Sequence, residues 1–215
     1  MIRVAIVDDH HAVRLGLRVA IQSEPGLVPA GVAATAAELA PVLYRTRPDV
    51  VLLDYNLPDT DGLTLCRHIK SQVPTPGVIL YSAFADDSMT VPAIVAGADG
   101  ILNKGVPARE LFEAIREVAR GGDALPAIST EMLEVASMTL DDDDLPILGM
   151  LIDRTPPGDI AETLRLELPV LRRRIERMLG RLQASVGRVR RPVDARAAEL
   201  RSVWVDSPVR PRNLQ

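Results

Sequence analysis

The 215-residue chain has one cysteine, three histidines and no apolar run near the ~20 residues that a membrane-spanning helix requires. A lone Cys66 excludes an intrachain disulfide, and His10, His11 and His68, without CxxC or HxxxH spacing, give no zinc site. The opening Met1-Ile2-Arg3-Val4 enters a short apolar strand with no leader-like hydrophobic region, so a cytoplasmic protein without membrane contact is expected. No internal repeat is found. The hydrophobic fraction of 47% is enough to bury a core, which argues against disorder over most of the length, and the length suits two small domains.

Charge is unevenly spread. Residues 1–120 hold 11 Lys/Arg against 14 Asp/Glu, whereas residues 165–191 hold nine Arg against Glu167 and Glu176. A basic block on an otherwise acidic protein points to a polyanionic partner for that end alone.

Up to about residue 120, short apolar runs alternate with amphipathic stretches, the pattern of a doubly wound α/β parallel sheet covered by helices on both faces. Five strands are predicted, Val4–Val7, Leu27–Ala33, Val50–Leu53, Val78–Tyr81 and Gly100–Leu102, with helices that include Ala12–Gln22 and Pro107–Arg120. Pro29 lacks an N–H and places the second strand at an edge; Pro41 and Pro92 should kink or shorten their helices. Gly121-Gly122 ends this unit, and 121–140 reads as a linker with a short helix near Thr130–Met138. A small all-α unit follows over 141–205. Asp141 to Asp144 would cap a helix over Leu145–Arg154, Thr155-Pro156-Pro157-Gly158 breaks the chain, and helices follow at Ile160–Leu164 and Pro169–Leu182. A last helix is expected from Asp194 to Trp204, then a disordered tail over 206–215.

In an open parallel sheet functional groups gather beyond the carboxyl ends of the strands. Those ends carry Asp8-Asp9, Asp54, Ser82 and Asn103-Lys104. Three converging carboxylates repel unless a cation lies among them, and hard oxygen ligands suit Mg²⁺. The sequence Val7-Asp8-Asp9-His10, Leu53-Asp54, Leu57-Pro58 with Asp61-Gly62, Tyr81-Ser82-Ala83, and Gly97-Ala98-Asp99-Gly100 before Lys104 resembles a two-component response-regulator receiver. The resemblance implies strand order 2-1-3-4-5 and makes Asp54 the phosphoacceptor for a sensor histidine kinase or small phosphodonor. It further implies that Asp9, Asp54 and the Asn56 carbonyl hold Mg²⁺ with Asp8 in support, and that Ser82 and Lys104 bind the phosphoryl oxygens. His10 and His11 read as loop residues. One position departs from the family: Ile101 stands where a tyrosine or phenylalanine usually couples phosphorylation to output, with Phe84 the nearest other aromatic.

On a 100° wheel, Leu171, Ile175, Met178, Leu179 and Leu182 share one face of the Pro169–Leu182 helix, and Arg173, Arg174, Arg177 and Arg181 the other. Asp159 to Leu164, followed by Arg172-Arg173-Arg174-Ile175 and Met178 to Leu182, resembles the helix-turn-helix of LuxR/NarL-type regulators. That resemblance implies double-stranded DNA as partner, Arg172, Arg173 and Glu176 facing the groove, Arg177 and Arg181 nearer the phosphates, and a homodimer when active, with a contact near Ala195–Trp204. Arg165 replaces the usual turn glycine, Glu167 the usual N-cap, and Asp141 to Asp144 the usual Thr-x-Arg-Glu start.

The function expected is a phosphorylation-controlled DNA-binding transcriptional regulator rather than an enzyme. Two alternatives stand beside it: an output unit that binds protein, and a haloacid-dehalogenase-type phosphatase. The last expects a second acid two residues after its nucleophile, and Asp54-Tyr55-Asn56 lacks one.

Overall fold

The computed structural model describes residues 1–72, 74–83 and 85–185. Five parallel strands, β1 (Ile2–Val7), β2 (Leu27–Ala33), β3 (Val50–Leu53), β4 (Gly77–Ser82) and β5 (Gly100–Asn103), form one sheet in the order β2-β1-β3-β4-β5. The order and the strands agree with the sequence reading. Pro29 lies in the edge strand β2 opposite Val4, and the β1–β2 register shifts directly after that pair, as expected where one N–H is missing from the ladder.

Helices α1 (His11–Ser23) and α5 (Ala108–Ala119) cover one face of the sheet, where Leu17, Ile21, Leu111 and Ile115 meet Ile6, Leu52 and Ile79. On the other face lie α2 (Ala36–Thr46), α3 (Gly62–Lys70) and α4 (Thr90–Ala96), which bury Leu39, Leu63, Cys66, Ile69 and Val91 against Val51, Leu53 and Leu80. Pro41 does not interrupt α2, which runs through it for 11 residues. Pro92 falls in the first turn of α4, where no helical N–H bond is owed, and α4 is only seven residues long.

The second half contains α6 (Thr130–Thr139), a 3₁₀ turn (Asp142–Asp144), α7 (Leu145–Ile152), α8 (Pro157–Thr163) and the helix α9 over 168–185. The helix α8 starts inside the Thr155-Pro156-Pro157-Gly158 stretch read as a break, because a proline in the first turn forfeits no helical bond. All five apolar residues of the α9 wheel, Leu171, Ile175, Met178, Leu179 and Leu182, are buried. The two halves share one hydrophobic cluster that passes from Ile69 and Ile94 to Ile147, Leu151 and Leu179. Arg154 joins them by donating to the Ala98 carbonyl at 2.9 Å. The expected Asp194–Trp204 helix, the tail and Phe84 lie outside the described residues.

The carboxylates expected to cap the α7 helix do not do so. Neither Asp141 nor Asp144 caps with its side chain; Asp144, 4% exposed, accepts from Arg174 Nε at 2.9 Å, and Asp141 pairs with Arg181 at 2.6 Å. A carboxylate this buried is costly unless a cation faces it, and Arg174 supplies that charge.

Candidate functional site

Each polar residue at the strand ends is held by the sheet. Asp54 N–H donates to the Val7 carbonyl at 2.8 Å and Lys104 N–H to the Ser82 carbonyl at 2.9 Å, so the ladder extends one residue past the strands on both sides of the crevice. Lys104 Nζ lies 2.6 Å from Asp8 Oδ2 and 2.9 Å from Asp54 Oδ2. Asp8, Asp54 and Ser82 are buried, whereas Asp9 opens to solvent.

Burial pushes the Asp54 carboxyl above its usual range, Lys104 opposes this by hydrogen bond and charge, and Asp8 adds to the rise. Burial pulls the Lys104 ammonium down, but its hydrogen bonds to Asp54 and Asp8 win and leave it raised. The site is therefore a desolvated carboxylate pair bridged by one cation.

Asp8, Asp9, Asp54 and His10 each bring a ligand atom within 4.8 Å of the others. The sequence reading assigned His10 to the loop; its ring nitrogen lies 2.6 Å from Asp9 Oδ1, at the rim of the cluster. Three carboxylate donors on a solvent-open crevice fit a hard divalent cation that keeps part of its water.

The β3–α3 loop, which holds Leu57-Pro58 and Asp61-Gly62, is fixed by its own backbone and capping bonds. Gly62 N–H donates to the Tyr55 carbonyl at 2.6 Å, and a Cβ there would lie 2.5 Å from the Asp54 carbonyl oxygen, so only glycine fits. Asp61 caps α3 through Thr64 N–H at 2.9 Å, and Asp59 accepts from the Ala36 and Ala37 N–H groups at the start of α2. Those backbone bonds, that from Ala36 foremost, hold the Asp59 carboxyl below its usual range. An Asp just before a helical run is a readable cap signal. No sequence signal indicates that Gln183 of α9 reaches Asp61, which it does at 2.7 Å.

Among the output residues, Arg173, Glu176 and Arg177 line one open surface with Val170. Arg172 and Glu176 also line a cleft of about 320 Å³ whose opposite wall is Thr64, Arg67 and His68 of α3. Burial lowers the Arg67 guanidinium from its usual value, Glu176 opposes that and Arg172 adds to it. Arg181 is tied to Asp141, as above. Ile101 is 6% exposed and lies in the core cluster.

Residues 4–116 match the response regulator receiver domain family, and the chain belongs to it. Over 192 residues, 85% of this chain and 88% of the relative, it is 30% identical to the DNA-binding transcriptional activator DevR/DosR of Mycobacterium tuberculosis. It is 28% identical over 195 residues to the transcriptional regulatory protein LiaR of Bacillus subtilis, covering 86% of this chain and 92% of that one. A two-component response regulator of the LuxR family from an Aurantimonas species superposes with a TM-score of 0.56 at 32% identity, over 62% of this chain and 96% of that one. No helix among the described residues is long and apolar enough to cross a membrane.

Proposed function

We propose that the protein is a cytoplasmic transcriptional regulator in which Asp54 takes a phosphoryl group from a sensor histidine kinase or a small acyl phosphate, and that this controls DNA binding through α9. The observation that carries the reading is the Lys104 ammonium bridging the buried carboxylates of Asp8 and Asp54. One Asp54 oxygen attacks phosphorus, a mixed carboxylic–phosphoric anhydride forms, and the donor's histidine or acyl oxygen leaves. Lys104 then exchanges its contact with the carboxylate for one with a phosphoryl oxygen, and Ser82, at the end of the neighbouring strand, receives another. Asp9, Asp54 and the Asn56 carbonyl, with Asp8 behind them, would hold Mg²⁺, which when bound supplies positive charge to the phosphoryl oxygens. In this reading the phosphoryl group serves as a signal held on Asp54, and the protein acts as a regulator rather than as an enzyme.

For DNA, Arg172, Arg173 and Glu176 would meet base edges and Arg177 and Arg181 phosphates. A duplex cannot enter the cleft that Arg172 and Glu176 share with α3. The two halves must therefore separate there before α9 reads a groove, and phosphorylation is the event assigned to favour separation and a DNA-binding homodimer. The 1–120 receiver, 121–140 linker and 141–205 output boundaries belong to this reading. Incubation with acetyl phosphate and Mg²⁺ should add one base-labile phosphoryl group, and full labelling of Asp54→Ala would refute the assignment.

A second reading, an output unit that binds protein, draws on one observation: Asp141 and Asp144 already neutralise Arg181 and Arg174. Mobility shift with genomic fragments separates the two.

A further inference from the structure

Asn103 is a strand-end polar residue that the phosphoryl chemistry above does not use. It is the last residue of β5 and the ladder partner of Ser82 on β4. Beyond the strands, Lys104 N–H continues the ladder to the Ser82 carbonyl at 2.9 Å, and the Asn103 side chain carries the connection further. Its Nδ2 donates to the Ala83 carbonyl at 3.2 Å and to the Ala85 carbonyl at 3.4 Å. Both carbonyls belong to the segment between β4 and the 3₁₀ turn Asp87–Met89 that leads into α4.

Asparagine suits this place for a local reason. Its Oδ1 accepts from Gly105 N–H at 2.8 Å, two residues on, a turn that asparagine makes with its own backbone and that fixes the direction in which Nδ2 points. The amide is thus anchored on the β5 side and donates across to the β4 side. Ser82 is buried at the start of the held segment, and Lys104 follows Asn103 directly. The placing of the Ser82 hydroxyl relative to the Lys104 ammonium therefore depends on this amide, and reacting groups lose much of their effect when displaced by an ångström.

We propose that Asn103 is a positioning residue for phosphoryl transfer: its side-chain amide holds the segment after β4 so that Ser82 and Lys104 meet the same phosphoryl group. The inference rests on the reading of Ser82 and Lys104 as partners of the phosphoryl oxygens. Groups aimed at charge that grows during transfer lower its barrier, so a displaced Ser82 slows transfer without blocking it.

The rate at which radiolabelled acetyl phosphate with Mg²⁺ labels the full-length chain tests this, with far-UV circular dichroism to show that each variant is folded. N103A should slow labelling roughly tenfold. N103T should do the same, because a threonine hydroxyl can still accept from Gly105 N–H but is one bond too short to reach the Ala83 and Ala85 carbonyls. S82A should slow labelling at least as much, and the double variant should be no slower than S82A alone, since Asn103 acts through Ser82. Wild-type rates in N103A or in N103T overturn the inference. So does a double variant slowed relative to S82A by the same factor as N103A is relative to wild type, the result of a merely structural role. A wild-type chain that takes no label at Asp54 overturns the phosphoacceptor reading and this inference with it, whereas the first two results leave that reading standing.

Discussion

Gln183 Nε2 donates a hydrogen bond to Asp61 Oδ1 at 2.7 Å across 122 positions of sequence. Asp61 is the N-cap of α3 and bridges Asn56 in the loop that leaves Asp54, so this bond runs from the loop behind the proposed phosphoacceptor to the helix proposed to read DNA. A partly buried bond of this kind contributes about 1 kcal/mol. Gln183→Ala should therefore favour separation of the halves and tighten DNA binding by the unphosphorylated protein roughly fivefold. Affinities of both proteins for one promoter fragment at a single salt concentration check this; equal values would mean that the bond restrains nothing.

Ile101 is buried and has no ring to move between buried and exposed positions. A modification shifts an equilibrium only by its differential interaction with the two states, and one such difference is missing here. Phosphorylated and unphosphorylated forms should differ less than about 100-fold in DNA affinity, a coupling under ~2.7 kcal/mol. Titration of each form with the same fragment measures the ratio directly, and a larger one would show that Ile101 is no obstacle.

The arginines of α9 should separate into kinds. Arg173→Ala should narrow the gap between operator and random DNA, because a lost bidentate base contact costs roughly 1 to 3 kcal/mol of discrimination. Arg177→Ala should weaken both and flatten the salt dependence. Arg181 is held by Asp141, whose carboxyl that arginine keeps below its usual range. Asp141→Asn should accordingly release Arg181, tighten binding to random DNA and steepen the salt slope by about 0.9 per monomer. An unchanged slope would remove Arg181 from the phosphate contacts.

Arg165 has φ 52°, the left-handed region in which a Cβ is strained and glycine is not. Arg165→Gly should stabilise the protein by about 0.5 to 1 kcal/mol, the relieved strain being partly offset by the flexibility glycine adds to the unfolded chain. Urea denaturation of the two proteins measures the difference, and a destabilised variant would mean that the Arg165 side chain contributes more than its backbone costs.

The sheet and the crevice could be read from the sequence because their signals are local. Apolar runs mark β1 to β5, Pro29 marks the edge, and the strand ends carry Asp8, Asp54, Ser82 and Lys104. The buried face of α9 was equally legible from its spacing. What escaped were pairings between distant segments. Asp144 has the sequence context of a cap, yet Arg174 claims its carboxylate because the site is buried. The Gln183–Asp61 bond and the cleft between α9 and Arg67 depend on how the two halves meet, which no periodicity within either half encodes.

The most direct test is the affinity for promoter DNA of wild type and Asp54→Asn, each with and without acetyl phosphate and Mg²⁺. The phosphodonor should tighten binding by wild type and leave Asp54→Asn unchanged. Absence of measurable DNA binding by wild type in either state at low salt, or equal tightening of both proteins, would contradict it.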